Sequence, residues 1–190
     1  MNIRIISLGT LLATVLLTGC LTSESGDIKS YATKAHEKNA AQKGAWDHQG
    51  ITSYQYQLST WEGLYPETHK GTCQVSHDTP QCDLKNFDDD HYHPTTTFNN
   101  LFKTVDSLVD WTAKLDSMPE ADSSVFASDD TSFIYAVMAK ATAHGSDSSF
   151  NVPLGVQVIY DKRYGYPKRI NGLPFGPNSA AAAFVNLTGK

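Results

Sequence analysis

The sequence predicts an α+β fold: a small antiparallel sheet of about four strands with an amphipathic helix packed on one face, plus a second helix in an insertion. Three observations predict it. Val156, Val158 and Tyr160 alternate along a strand that leads to a turn at Gly165 and a second extended run ending at Ile170, which is a hairpin pattern. Tyr54, Tyr56 and Leu58 alternate with Ser53, Gln55 and Gln57 in a second half-buried strand. Between 95 and 115, Phe98, Leu101, Phe102, Val105, Leu108, Val109 and Thr112 recur at helical spacing on one face, opposite Asn99, Lys103, Asp106 and Asp110. With 190 residues, 40% of them hydrophobic and 18% charged, the chain fits one ordinary core with appendages.

The N-terminus carries Arg4, an uncharged and mostly apolar run from Ile5 to Leu17, and then Thr18 and Gly19 before Cys20. This is an export signal, too short to be a comfortable permanent bilayer span. Leu17-Thr18-Gly19-Cys20 resembles the lipobox of bacterial lipoproteins, in which the cysteine is diacylated and becomes the new N-terminus. The plain alternative is an ordinary signal with an unrelated cysteine at the cleavage point. By the resemblance, residues 1–19 are a lipoprotein signal peptide, residues 20–44 a lipid-anchored tether and residues 45–190 a single α+β domain. Leu21 stands where similar lipoproteins retained in the inner membrane carry Asp, so the expected location is the outer membrane, facing the periplasm or the cell surface.

Residues 21–27 read as flexible tether. From Ile28 to Lys43 the Ala, Lys and Glu content favours a helix in its second half, but one with little to bury, so the domain is expected to begin near Trp46. Gly50 breaks the chain before the strand that holds Tyr54. Gly63 and Pro66 mark a loop, and a further strand is expected from Gly71 to His77, followed by a turn at Asp78, Thr79 and Pro80. Cys73 and Cys82 flank that turn, and in an exported chain they read as a disulfide closing a hairpin loop. Thiol redox chemistry lacks the close C-x-x-C spacing.

Asp88, Asp89, Asp90, His91, Tyr92 and His93 form the one cluster with chemical potential. In an extended segment Asp89, His91 and His93 project to one side and offer zinc or copper a carboxylate and two imidazoles, with His69 and His77 as further candidates. The competing reading is a solvated acidic loop before Pro94. Thr95 to Thr97 can cap the long helix that follows, and Pro119 lies beyond its end. Residues 116–130 are polar and poorly patterned. Ser132 to His144 fits a helical face of Phe133, Ile134, Val137, Met138 and Ala141, and equally an alternation of Phe133, Tyr135 and Val137. Its alanines, Asp129-Asp130 before it and Gly145 after it favour the second helix. Pro167 restricts Tyr166 to extended conformations and withholds a backbone donor, so the second strand of the terminal hairpin is expected to start at the edge of the sheet and not to run through its middle. Ala181 to Leu187 is a candidate last strand pairing with that hairpin.

Together with the lipobox, Trp46, Ser53-Tyr54-Gln55-Tyr56, Phe98-Asn99-Asn100-Leu101-Phe102 and the Y-D-x-x-Y-G-Y-P run from Tyr160 to Pro167 are similar to an uncharacterised family of bacterial lipoproteins, domain of unknown function 6174. The resemblance covers the chain from Trp46 to Ile170, with the stretch from Asp116 to Pro153 departing from it as an apparent insertion. It implies a location and a small α+β domain, and it supplies no catalytic residue.

Chemistry is not otherwise indicated. Lys and Arg total 15 against 20 Asp and Glu, without a basic patch for nucleic acid. Lys162, Arg163, Lys168 and Arg169 flank a turn. No G-x-S-x-G elbow, phosphate-cradling glycine loop or H-E-x-x-H helix is present. The expectation is a lipid-anchored envelope protein without cofactor or catalytic residues, binding the membrane through acylated Cys20 and engaging another envelope protein by the sheet face or the hairpin, with an exposed apolar or aromatic patch near Tyr164 and Tyr166. The alternative is an envelope metal-binding protein using the Asp88 to His93 cluster.

Overall fold

The computed structural model describes residues 28–61, 69–85, 97–119, 121–142, 149–173 and 182–187. Helix α1 (Ile28–His48) leads into an antiparallel wing of β1 (Ser53–Trp61), β2 (His69–Ser76) and β3 (Thr79–Lys85). Helix α2 (Phe98–Asp116) follows, then a second meander of β4 (Ala121–Asp129), β5 (Ser132–Thr142), β6 (Ser149–Tyr160) and β7 (Pro167–Leu173). The last strand, β8 (Ala182–Leu187), lies between β1 and β7 and fuses the two meanders into one sheet of order β3-β2-β1-β8-β7-β6-β5-β4. Both helices pack on one face, mainly over the β4 to β7 half, with Trp46 and Phe98 reaching Tyr54 of β1. The fold is α+β with an antiparallel sheet and an amphipathic helix on it, as the sequence predicts.

The α2 helix follows its pattern closely. Thr97 is extended, and its hydroxyl accepts the Asn100 N–H at 3.0 Å, satisfying one of the free amides of the first turn. Phe98, Leu101, Phe102, Val105, Val109 and Thr112 are buried, and Leu108 lies half-buried at the edge of that stripe.

The sheet is larger than the sequence suggested. Eight strands, not about four, are described, because the polar run after α2 is the edge strand β4, and edge strands carry Ser and Asp readily. Ser132–Thr142 is strand β5, not a second helix. Its alternation decides the matter: Phe133, Tyr135 and Val137 are buried under the helices, opposite Val158, Val156 and Leu154 of β6. The intervening Ile134, Ala136 and Met138 are apolar too, so both faces of the strand imitated the face of a helix. The stretch from 121 is thus built into the main sheet. Likewise β7 is an interior strand. Its Pro167 does no harm there, because it is the first residue of the strand and β8 pairs with β7 only at Arg169 and Ile170.

The second helix is α1, and the tether boundary at residue 44 moves back accordingly. Tyr31, Ala35, Asn39 and Trp46 are buried along one face. The alanines that read as nothing to bury let α1 approach α2 closely, and Ala35 is fully enclosed. α1 runs antiparallel to α2, with Asn39 beside Phe102 and His36 beside Asp106 and Asp110.

Candidate functional site

Three parts of the molecule gather polar or exposed aromatic groups. The first is the turn from Tyr160 to Pro167, the most distinctive motif of the sequence. Asp161 Oδ1 accepts the N–H groups of Arg163 and Tyr164, each at 2.9 Å, and the Asp161 carbonyl accepts the Gly165 N–H at 2.9 Å. The Asp161 N–H donates to the Tyr166 carbonyl at 2.8 Å. Gly165 has φ +82, and a Cβ there would lie 2.7 Å from the Gln42 carbonyl and 3.0 Å from Ala45 Cβ. Glycine is therefore required twice over, for its backbone conformation and for the contact with α1. Tyr166 stacks on Phe98 at 4.5 Å, Trp46 meets Phe98 edge-on at 4.8 Å, and Tyr54 stacks on Phe98 at 4.5 Å. Tyr166 is buried and Tyr164 half-buried, so among the described residues these two rings do not form the exposed patch expected at this turn. Its aromatics are drawn inward by Phe98 and Trp46.

The second is a polar network between α1, α2 and β6. Asn39 is buried, and its Nδ2 donates to the Phe102 carbonyl and to Asp106 Oδ1, both at 2.9 Å. Its Oδ1 accepts the Tyr160 hydroxyl at 2.7 Å. Asp106 Oδ1 lies 2.9 Å from His36 Nδ1, and Asp110 Oδ1 lies 3.0 Å from His36 Nε2. A His–Asp–Asn–Tyr chain has the ingredients of acid–base chemistry, yet each member here joins one element to another. Burial, reinforced by the Asp106 charge, raises Tyr160 far above the ordinary phenol range and keeps it a donor. Sequence reasoning missed this network because α1 was read as tether. A lone Asn at the fourth position after Ala35, on the same helical face, was the available signal.

The third lies at the opposite end of the helices. Asp116 ends α2 and accepts the Ser124 hydroxyl through Oδ1. Asp116 Oδ2 and the Tyr135 hydroxyl are both buried without a partner among the described residues, as is Asn99 Oδ1 at the other end of α2. Burial first, and the Asp116 charge second, push Tyr135 up to about 12. Beyond this point the sheet continues past the helix. Ala139 opposes Val152 and Ala141 opposes Phe150, on the face shared by Tyr135 and Val156. Phe150 is 52% exposed, Met118 just after α2 is 49% exposed, and Trp111 on the flank of α2 is 41% exposed. These are three of the four large apolar side chains exposed among the described residues; the fourth, Val125 of β4, lies on the opposite sheet face.

Of the predicted site residues, Cys73 and Cys82 form a disulfide across directly opposed positions of β2 and β3. The turn they flank is His77-Asp78, with φ of 49 and 62, one step before the expected place. His77 is exposed there, and His69 opens β2. Cys20 and the cluster Asp88, Asp89, Asp90, His91, Tyr92 and His93 lie outside the described residues. Among the described residues no group of three or more His, Cys, Asp or Glu is arranged to hold a metal ion, and no helix is long and apolar enough to cross a membrane.

The chain matches no family model, no curated protein and no solved structure.

Proposed function

We propose that this is a lipid-anchored bacterial envelope lipoprotein whose folded part is a non-catalytic binding or structural module, related to the uncharacterised lipoprotein family that its motifs resemble. The observation that carries the reading is Leu17-Thr18-Gly19-Cys20 at the end of the apolar leader. The cysteine arithmetic supports it: the chain has three cysteines, Cys73 and Cys82 are joined, and Cys20 is left without an intrachain disulfide partner. A disulfide across two short strands also suits an exported, oxidising location. Two or three acyl chains on Cys20 give stable anchoring, at about 0.8 kcal/mol per buried methylene. The non-catalytic part of the reading is supported by the use of the polar clusters. Asp161 builds a turn, and His36, Asn39, Asp106 and Tyr160 join helices to sheet.

Intact mass of the full chain made in a Gram-negative host tests the anchor. The expected product lacks residues 1–19 and carries the mass of two or three acyl chains, and Cys20→Ala removes both the cleavage and the lipid. A mature chain that begins elsewhere, without lipid mass, contradicts the reading.

A further inference from the structure

Three of the four large apolar side chains exposed among the described residues lie toward one end of the domain. Because α1 runs antiparallel to α2, the N-terminus of α1 lies at the end where α2 finishes, near Trp111, Asp116 and Met118. Lys38 donates to the Asp129 carbonyl and Gln42 to the Asp130 carbonyl, so the end of β4 lies by the second half of α1 and the start of β4 lies toward its beginning. The register then carries β5 and β6 outward past Tyr135 and Val156 to the opposed pair Ala141 and Phe150 at that same end. Trp111, Met118 and Phe150, with half-buried Leu115, Ala139, Ala141, Val152 and Leu154, thus make an apolar ledge at the end of the domain where α1 begins.

Chain length says what this ledge faces. From Cys20 to Ile28 a fully extended backbone reaches at most about 28 Å. α1 is itself about 30 Å long, so its far end can stand as much as that distance beyond its start. An acylated Cys20 therefore keeps the start of α1 within that reach of the bilayer and allows the ledge to meet it, while the closed aromatic end can point away. Tryptophan, phenylalanine and methionine on a rim of mixed charge are suited to the headgroup boundary. Among the described residues at this end, exposed Lys34, Lys114 and Lys140 are set against exposed Asp110 and Asp122 and buried Asp116, and the attraction we infer is apolar.

We infer that the ledge of Trp111, Met118 and Phe150 docks the domain on the phospholipid surface that holds Cys20. The inference rests on the lipid anchor proposed above. It makes the anchored module lie against the membrane instead of swinging on a free tether, and it leaves the polar outer face of β1 to β3, with Gln55, Gln57, Gln74 and Gln81 exposed, available to the aqueous side.

The test uses the full acylated chain reconstituted into phosphatidylethanolamine–phosphatidylglycerol vesicles containing phospholipid brominated on its acyl chains. With Trp61→Phe as the parent, so that only Trp46 and Trp111 remain, tryptophan emission is expected to be quenched, with the quenching insensitive to added salt and lost on the further change Trp111→Phe, since Trp46 is enclosed in the core. A Met118→Asp, Phe150→Asp variant keeps Trp111 and is expected to lose quenching while its near-ultraviolet circular dichroism stays that of the parent. Intact mass on the same samples separates the two ideas. An acylated chain whose quenching is the same in parent and Trp111→Phe overturns the docking and leaves the anchor standing. A chain without acyl groups overturns the anchor and the docking with it.

Discussion

At the end of the helical layer where α1 finishes, Trp46, Tyr54, Phe98 and Tyr166 interlock, and Gly165 brings the β6–β7 turn against the α1 backbone. At the end where α1 begins, the sheet outruns the helices and leaves Trp111, Met118 and Phe150 exposed. The tyrosines repeat the contrast. Tyr54 accepts the Phe98 N–H at 2.9 Å and Tyr160 donates to Asn39, whereas Tyr135, beneath the end of α2, has no partner among the described residues. Interlocked rings gather at the closed end, and exposed apolar side chains lie at the open end.

The largest expected effect breaks the closed end. Trp46, only 3% exposed and in contact with three aromatic rings, should cost about 3–5 kcal/mol when changed to Ala. Trp111→Ala at the open end should cost less than about 1 kcal/mol, the range for exposed positions. Urea unfolding of the two variants measures the asymmetry directly, and equal losses would abolish it.

Gly165→Ala comes next. The methyl group meets the Gln42 carbonyl and the backbone must hold positive φ, together worth about 2–4 kcal/mol. The disulfide is comparable, since opening the small loop between Cys73 and Cys82 should lose about 2.5 kcal/mol in a Cys73→Ala, Cys82→Ala variant. It braces the wing that carries Tyr54 and Tyr56 to the closed end, so hydrogen exchange in β1 should rise more than in β5. An equal rise in both strands would make the sheet a single unit.

A smaller pair sharpens the comparison by chemistry alone. Tyr160→Phe leaves Asn39 Oδ1 buried and unpaired and should destabilise by about 1–2 kcal/mol. Tyr135→Phe removes a hydroxyl that has no partner, and should be neutral or stabilising. Thermal melts of both variants decide it.

Alkaline pH addresses the same tyrosines together. Tyr54 and Tyr135 are pushed up to about 12, chiefly by burial, and Tyr56 and Tyr160 further in the same direction. The folded state thus favours the protonated form more than the unfolded state does. That contribution is complete below the ordinary phenol value of 10.0 and is lost as pH rises through the folded values. The melting temperature should fall above about pH 10, with a fraction of the tyrosinate absorbance appearing only on unfolding. Titration of every tyrosine in the native state would show that these rings are not enclosed.

Much of the closed end was legible. The α2 stripe, its Thr97 cap, the alternation around Tyr54 and Tyr56, the Cys73–Cys82 pairing and the hairpin at Gly165 all use local signals, namely period, capping and turn chemistry. Two things were hidden. An α1 helix that packs through Ala35 and Asn39 carries no large apolar stripe, because close approach of two helices replaces bulk. β5 is apolar on both faces, so its period could not distinguish strand from helix until its partners in β4 and β6 were known. The open end was invisible for a related reason. Trp111, Met118 and Phe150 belong to three different segments, and only the antiparallel run of α1 against α2 and the register of β5 with β6 bring them to one place.

Hydroxyl-radical footprinting of the full chain, acylated and bound to vesicles, against its Cys20→Ala form in solution, tests the division of the molecule most directly. Oxidation of Trp111, Met118 and Phe150 should drop on the vesicle while that of half-buried Tyr164 at the closed end stays unchanged. Protection at Tyr164 with none at the other three would contradict the account, because the molecule would then meet the membrane by the end that its own core has already sealed.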